Sequence, residues 1–135
     1  ERGGISYALG SVEGVKALQL TEVLEWARIK ACGGQCGGPA LSLGTINAIA
    51  MLQPLKLLYA MHLADLGRLE KAERYMRALR GLADAAAVLT DEANAKRSKP
   101  KRGENALGLA SNPLGNCFLD ALGVFEDRLC VSLGR

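Results

Sequence analysis

Four cysteines and a single histidine are the side chains of this sequence best suited to chemistry. Cys32 and Cys36 are separated by three residues, Cys117 and Cys130 lie far downstream, and His62 is the sole imidazole. A zinc knuckle needs C-x-x-C pairs on a braced turn, and the glycines around Cys32–Gly38 would leave such a site floppy. Cys117 and Cys130 lie thirteen residues apart in a helical stretch, so they do not closely share a face. All four read as loop thiols and small core residues. A Ser–His or Cys–His catalytic pair would have to use His62. That residue sits in an apolar helical neighbourhood, with Asp65 three positions on, and reads as a packed or half-exposed helix residue. Cys32–Gly38 is no phosphate loop, because no Gly-Lys-Ser/Thr follows and no strand precedes it. The carboxylate pairs Glu22/Glu25 and Asp91/Glu92 read as solvated helix charges. No catalytic residue, no cofactor and no metal are expected.

The net charge of +3 is concentrated in Lys96, Arg97, Lys99, Lys101 and Arg102. These five cations could touch phosphates, anionic lipid or a partner, while a solvated loop is the ordinary reading of such a charge run. No aromatics are interleaved for base stacking, and Glu92 and Glu104 flank the cluster, so nucleic acid is not expected. No run approaches the roughly 18 apolar residues of a membrane span, and Glu1–Gly10 is no signal peptide. At most a peripheral membrane association follows, a cytosolic location is the default, and the thiols would stay reduced there.

Elements must hold these side chains, and the composition favours helices. Apolar residues make up 49% of the chain while aromatics are only 4%, with Ala and Leu dominant. The clearest stretch is Leu55–Leu82. Leu55–Leu66 is apolar almost all round and predicts a helix buried between neighbours. Leu69, Ala72, Met76, Leu79 and Leu82 form one stripe of a second helix. Its other faces carry Glu70–Arg74 and Glu73–Arg77 pairs. Gly67 supplies the left-handed residue between the two helices, so the stretch is an αα-hairpin. Upstream, a helix over Glu13–Ala31 carries Leu20, Val23, Leu24, Ala27 and Ala31 on one side. Leu18, Glu22, Trp26 and Ile29 run along another, as expected in a stack of helices. Cys32–Thr45 predicts a loop, Thr45–Leu52 a short helix, and Pro54 the first turn of the hairpin. Ala83–Leu89 can extend the second helix by a turn or two, and Asp91–Gly103 predicts a flexible basic loop. Asn112-Pro113 predicts a helix start, with Phe118, Leu122, Phe125 and Leu129 on its inner face. No strand period survives. The fold class is all-α, an α-solenoid-type stack of antiparallel helices in one domain spanning residues 1–135. The chain reads as a piece of a larger solenoid.

Two resemblances compete at the hairpin. Gly67, Ala72 and Met76 fit one tetratricopeptide unit, but no second copy follows at the ~34-residue period, and one repeat cannot bury its faces alone. A solitary peptide-binding module of that type is the alternative reading. The second resemblance spans nearly the whole chain. Leu18-Gln19-Leu20-Thr21-Glu22-Val23-Leu24-Glu25-Trp26-Ala27 resembles the "Q-x-T-E-x-Y-E-Y-A" helix of the Sec16 family of endoplasmic-reticulum exit-site scaffolds. Leu55 to Tyr59, Leu63 to Gly67 and Ala72 to Leu79 resemble its "F-K-x-x-Y", "L-A-E-x-G" and "A-x-x-Y-C-E-A-I" blocks in order. Pro113 through Leu119, Leu122, Arg128 and Leu129 resemble its later "P-x-L-x-x-L-x-x-x-x-x-R-L" helix. Leu24 and Trp26 stand where the family has tyrosines, and Met76 where it has cysteine.

The resemblance implies the C-terminal part of the family's central conserved domain, a helical solenoid that doubles back on itself. It implies a non-enzymatic scaffold that organises exit sites and COPII coat assembly on the cytosolic face of the endoplasmic reticulum. The implied partners are the remaining helices of a parent scaffold, a second copy, and COPII components including a β-propeller subunit. No propeller-inserting strand pattern is visible, so direct propeller binding by this stretch is not expected. The signature positions are Thr21, Glu22, Trp26, Leu55, Leu58, Tyr59, Leu63, Gly67, Ala72, Tyr75, Leu79, Pro113, Leu122 and Leu129, with Leu58 and Tyr59 expected in the core.

Overall fold

The computed structural model describes residues 11–31, 42–96 and 111–135. Among them every regular element is helical: α1 (Val12–Ala31), α2 (Leu43–Ile49), a 3-10 turn (Ala50–Leu52), α3 (Gln53–Asp65), α4 (Leu69–Lys96) and α5 (Asn116–Ser132). The fold is all-α, an antiparallel hairpin of α3 and α4 with further helices laid against it.

Each helix end has a local cause. Ser11 Oγ accepts the Gly14 N–H at 3.0 Å and starts α1, whose first turn holds Glu13 and last turn Arg28 and Lys30, signs that suit the helix dipole. Ser42 Oγ accepts the Thr45 N–H at 3.1 Å and starts α2, two residues earlier than Thr45. Pro54 lies in the first turn of α3, where its missing N–H costs nothing. The hairpin closes with the Arg68 N–H donating to the Leu63 carbonyl and the Gly67 N–H to that of Ala64, both at 2.9 Å. With Gly67 at φ +77°, this is a Schellman turn.

Two boundaries differ from the sequence reading. α4 continues to Lys96, so Asp91–Lys96 is helix and not loop. The alanines from Ala83 to Ala95 have the highest intrinsic helix propensity. Thr90 also satisfies its hydroxyl within the helix, donating to the Ala86 carbonyl at 2.7 Å. The rest of the expected loop, Arg97 to Gly103, lies outside the described residues. Asn112-Pro113 does not start α5. Asn112 Oδ1 accepts the Leu114 N–H at 3.0 Å, and its carbonyl accepts the Gly115 N–H at 3.1 Å. Proline at the second position of such a turn is favoured, so the pair makes a turn that seats Leu114 in the core. The helix starts only after Gly115, at φ +79°.

The core lies between α3, α4 and α5. Leu57, Ala60 and Leu63 of α3 meet Ala72, Met76, Leu79, Ala83 and Ala86 of α4. Phe118, Leu122, Phe125 and Leu129 of α5 close the cluster, joined by Ile46 from α2. Alanines along the inner face of α4 let the neighbouring helices approach closely, and the phenylalanines of α5 fill the remaining space. Arg80 and Glu126 tie α4 to α5 with Nη2–Oε2 at 2.5 Å. Arg135, beyond a second glycine turn at Gly134, pairs with Glu73.

One expectation about this core fails. Leu55 and Leu58 are 41% and 37% exposed, and Leu58 is not a core residue. α4 and α5 cover only the side of α3 that holds Leu57, Ala60 and Leu63. The opposite side, with Met51, Leu55, Leu58 and Met61, is left partly open, each of these side chains being 37% exposed or more. Truncating Leu63 or Leu79 to alanine is therefore expected to cost about 2–5 kcal/mol. Leu58→Ala is expected to cost roughly 1 kcal/mol or less. Urea unfolding followed by circular dichroism measures all three, and a Leu58→Ala cost equal to the others would contradict this packing.

Candidate protein-interaction surface

Helix α1 presents its chemistry in an unusual orientation. Its inner side, toward α3 and α4, holds Leu18 buried and Ile29 half-buried, but also Glu22, Glu25 and Arg28. Tyr75 donates its hydroxyl to Glu22 Oε1 at 3.0 Å. Lys56 Nζ lies 2.5 Å from Glu25 Oε2, with both side chains more than four-fifths buried. Gln53 Nε2 donates to the same oxygen at 3.3 Å and to the Ile49 carbonyl at 2.9 Å. Arg28 Nη1 donates to the Ala48 carbonyl at 2.7 Å. Glu22 and Glu25 are thus not solvated helix charges, since they hold α1 to α3 and α4.

The stripe that looked like a second packing face points outward. Leu20 is 69% exposed and Trp26 54%, and Val23, Leu24, Ala27 and Ala31 are exposed beside them. Lys30 Nζ lies over the Trp26 ring, 5.7 Å from its centroid. An apolar ridge of this length on a helix otherwise docked through polar groups is the kind of surface that meets a partner. Between α1 and α4 runs an open groove of about 460 Å³, floored by Ile49 and Leu79 and walled by Glu22, Glu25, Arg74 and Tyr75. A second cleft of about 520 Å³ lies where Met61 and Ala64 of α3 face Val124 and Phe125 of α5. It is continuous with the exposed side of α3 through Met61.

The signature residues divide between these surfaces and the core. Leu63, Ala72, Leu79, Leu122 and Leu129 are buried, and Gly67 makes the hairpin turn. Tyr59 is half-buried, its ring edge-on to Tyr75 at 5.3 Å between centroids. Thr21 donates its hydroxyl to the Leu18 carbonyl at 2.6 Å, a contact within the helix. Glu22 and Tyr75 meet in the groove, while Trp26, Leu55 and Leu58 are exposed. Pro113 lies in the turn before α5. Sequence reasoning missed Glu25, Gln53, Lys56 and Arg28 as a set, because their pairing spans twenty or more residues and has no local signal. His62 is half-buried on α3, Cys117 exposed and Cys130 half-buried. No group of potential metal ligands occurs among the described residues. Cys32, Cys36, Arg97, Lys99, Lys101 and Arg102 lie outside them, and Lys96 is exposed at the end of α4. No helix among the described residues is long and apolar enough to cross a membrane.

An all-helical body with two open clefts and exposed apolar ridges among its described residues presents surfaces of the kind that bind other proteins. The chain matches the family described as the Sec16 Sec23-binding domain over residues 7–93, more than half its length, and belongs to that family. This is a family of protein-interaction modules of COPII transport at endoplasmic-reticulum exit sites, not an enzyme family. No curated protein and no solved structure matches the chain.

The Tyr75–Glu22 contact has a pH signature. Burial first, then the hydrogen bond to Glu22 and its charge, push the Tyr75 phenol up to about 12. A group whose folded pKa is raised gives stability that is complete below its unfolded value, about 10. That stability is lost as pH rises from about 10 through 12. Phenolate absorbance at 295 nm should show one tyrosine titrating near 12, and Tyr75→Phe should remove that late step. If the late step persists in Tyr75→Phe, the contact does not form.

Proposed function

We propose that this chain is a non-enzymatic scaffold module that gathers COPII coat components at endoplasmic-reticulum exit sites, on the cytosolic face of the membrane. The family match across α1 to α4 is the observation that supports this reading most directly. The family description names Sec23 as what such a domain binds, and Sec23 is the first partner to test. The outward ridge Leu20, Val23, Leu24 and Trp26 supplies the apolar centre that a protein interface needs, with polar residues around it. The exposed side of α3 suits contact with further helices of a parent scaffold, as in a solenoid where each layer buries the face of the last. A second copy of the chain is a further partner under the same reading. A β-propeller coat subunit belongs to it through a larger assembly rather than through these residues alone. The cations Lys96, Arg97, Lys99, Lys101 and Arg102 are assigned to a second, electrostatic contact with an acidic partner or an anionic surface.

Quantitative capture from cytosol with the 135-residue chain as bait tests the reading. COPII coat subunits, Sec23 among them, are expected to be enriched over a helical control bait. Leu20→Glu with Leu24→Glu is expected to lower that enrichment at least about tenfold, since interface centres carry most of the binding energy. Neutralising the five cations is expected to weaken capture and to reduce its salt dependence. Enrichment of proteins sharing a short peptide tail, with no coat subunit, would replace the scaffold by the solitary peptide-binding module.

A further inference from the structure

The groove between α1 and α4 holds one charge that finds no partner within the fold. Its ionic lining side chains are Glu22, Glu25, Lys56 and Arg74. Glu22 accepts the Tyr75 hydroxyl, and Glu25 pairs with Lys56 and accepts from Gln53. Arg74 is exposed. Its side chain makes no ion pair or hydrogen bond among the described residues, not even with Glu70 one turn before it.

The remainder of the groove is apolar. Ile49 and Leu79 form its floor, and Ile29 and Leu82 are half-buried at its sides. Arg74 and Gly81 lie seven residues apart on α4, two turns of helix, and so stand on one face about 10 Å apart. Both line the groove, Arg74 at one end of this stretch and Gly81 at the other. A Cβ added at Gly81 would meet nothing within 4 Å, so that end has room for a side chain from outside. The groove volume of about 460 Å³ falls in the range of ligand-binding clefts.

We infer that this groove receives a short extended segment of a partner protein, one that carries an acidic residue and a large apolar residue three positions apart. Charge selects the acid. Glu25 is neutralised by Lys56 and Glu22 already takes a hydrogen bond from Tyr75, so the charge open to a ligand is the Arg74 guanidinium. A carboxylate matches that group with two parallel hydrogen bonds, whereas a basic segment would be repelled at the same point. The floor selects the second residue, because Ile49 and Leu79 beside the space at Gly81 reward a leucine or an aromatic ring and nothing polar. Length selects the spacing. An extended chain advances about 3.3 Å per residue, so three residues cover the stretch from Arg74 to Gly81. A helix would need seven residues for the same span, and its width of about 10 Å suits a groove of this volume poorly. One ion pair and one covered side chain make a small contact, so the binding is weak and reversible. Such a site holds a flexible tail of a partner while the outward ridge of α1 makes a separate contact. The inference does not depend on coat binding.

Heteronuclear NMR titration of the isotope-labelled 135-residue chain tests it. The probes are the synthetic peptides G-S-E-Q-T-L-S-G and, for the opposite chain direction, G-S-L-Q-T-E-S-G. At least one of them is expected to give saturable shifts at the amides of Ala78, Gly81 and Leu82. Replacing its leucine by alanine is expected to weaken binding at least about tenfold. Replacing its glutamate by lysine is expected to weaken it at least about fivefold. R74E is expected to invert the preference and take the lysine peptide over the glutamate one. G81L fills open space and improves helix propensity, so it is expected to stay folded and yet to abolish the saturable shifts. Circular dichroism confirms that each variant keeps its helix content. No saturable shift with either peptide, an R74E that still prefers the acidic peptide, or a G81L that binds like the wild type would each overturn the proposal. Equal binding of the alanine-for-leucine peptide would reduce the site to a plain anion contact and overturn it too. So would shifts confined to the ridge from Leu20 to Trp26.

Discussion

Everything in this molecule rests on the turn that folds α3 back onto α4. Gly67 in the left-handed region lets two backbone hydrogen bonds cap α3 and reverses the chain within three residues. That reversal brings Leu57, Ala60 and Leu63 against Ala72, Met76 and Leu79, and so creates the surface on which α5 and α2 then settle. A residue with a Cβ at Gly67 would meet no atom nearby, yet it would still have to hold a φ that L-residues rarely adopt. The constraint there is conformational and not a matter of space. The same device recurs at Gly134, where the turn directs Arg135 back toward Glu73 at the start of α4.

The hairpin was legible because its signals are local. Apolar spacing, a turn glycine and Glu-before-Arg pairs all lie within a few residues of what they govern, and so do the four buried positions of α5. Length was less legible. Asp91–Lys96 looked like loop because charge and polarity dominate its composition, whereas alanine propensity and the hydroxyl of Thr90 carry the helix through. Asn112-Pro113 has the residue types of a helix start and of a turn alike, and only Gly115 decides between them.

Orientation was the least legible. Periodicity shows that α1 has two apolar stripes but not which one faces the neighbours. Glu22 and Glu25 turned inward because Tyr75, Gln53 and Lys56, far along the chain, offer them partners. The same ambiguity hid the exposure of Leu58, since a helix apolar all round gives no sign of the side its neighbours leave bare. What the sequence concealed is therefore the part that matters most for interaction, the surfaces left uncovered once the core is complete.

The polar docking of α1 carries a thermodynamic consequence. Releasing a helix held by apolar burial exposes hydrocarbon to water, with a rise in heat capacity and a steep response to denaturant. Among its described side chains α1 contributes Leu18 as the one fully buried apolar residue, with Val15 and Ile29 half-buried, and its ridge is already in solvent. Its release would leave heat capacity and denaturant sensitivity little changed. A calorimeter or a urea titration would register the unfolding of α3, α4 and α5 and pass over the opening of α1, which would answer instead to ionic strength. The helix that bears the interaction ridge is thus able to change its attachment without drawing on the stability of the core beneath it.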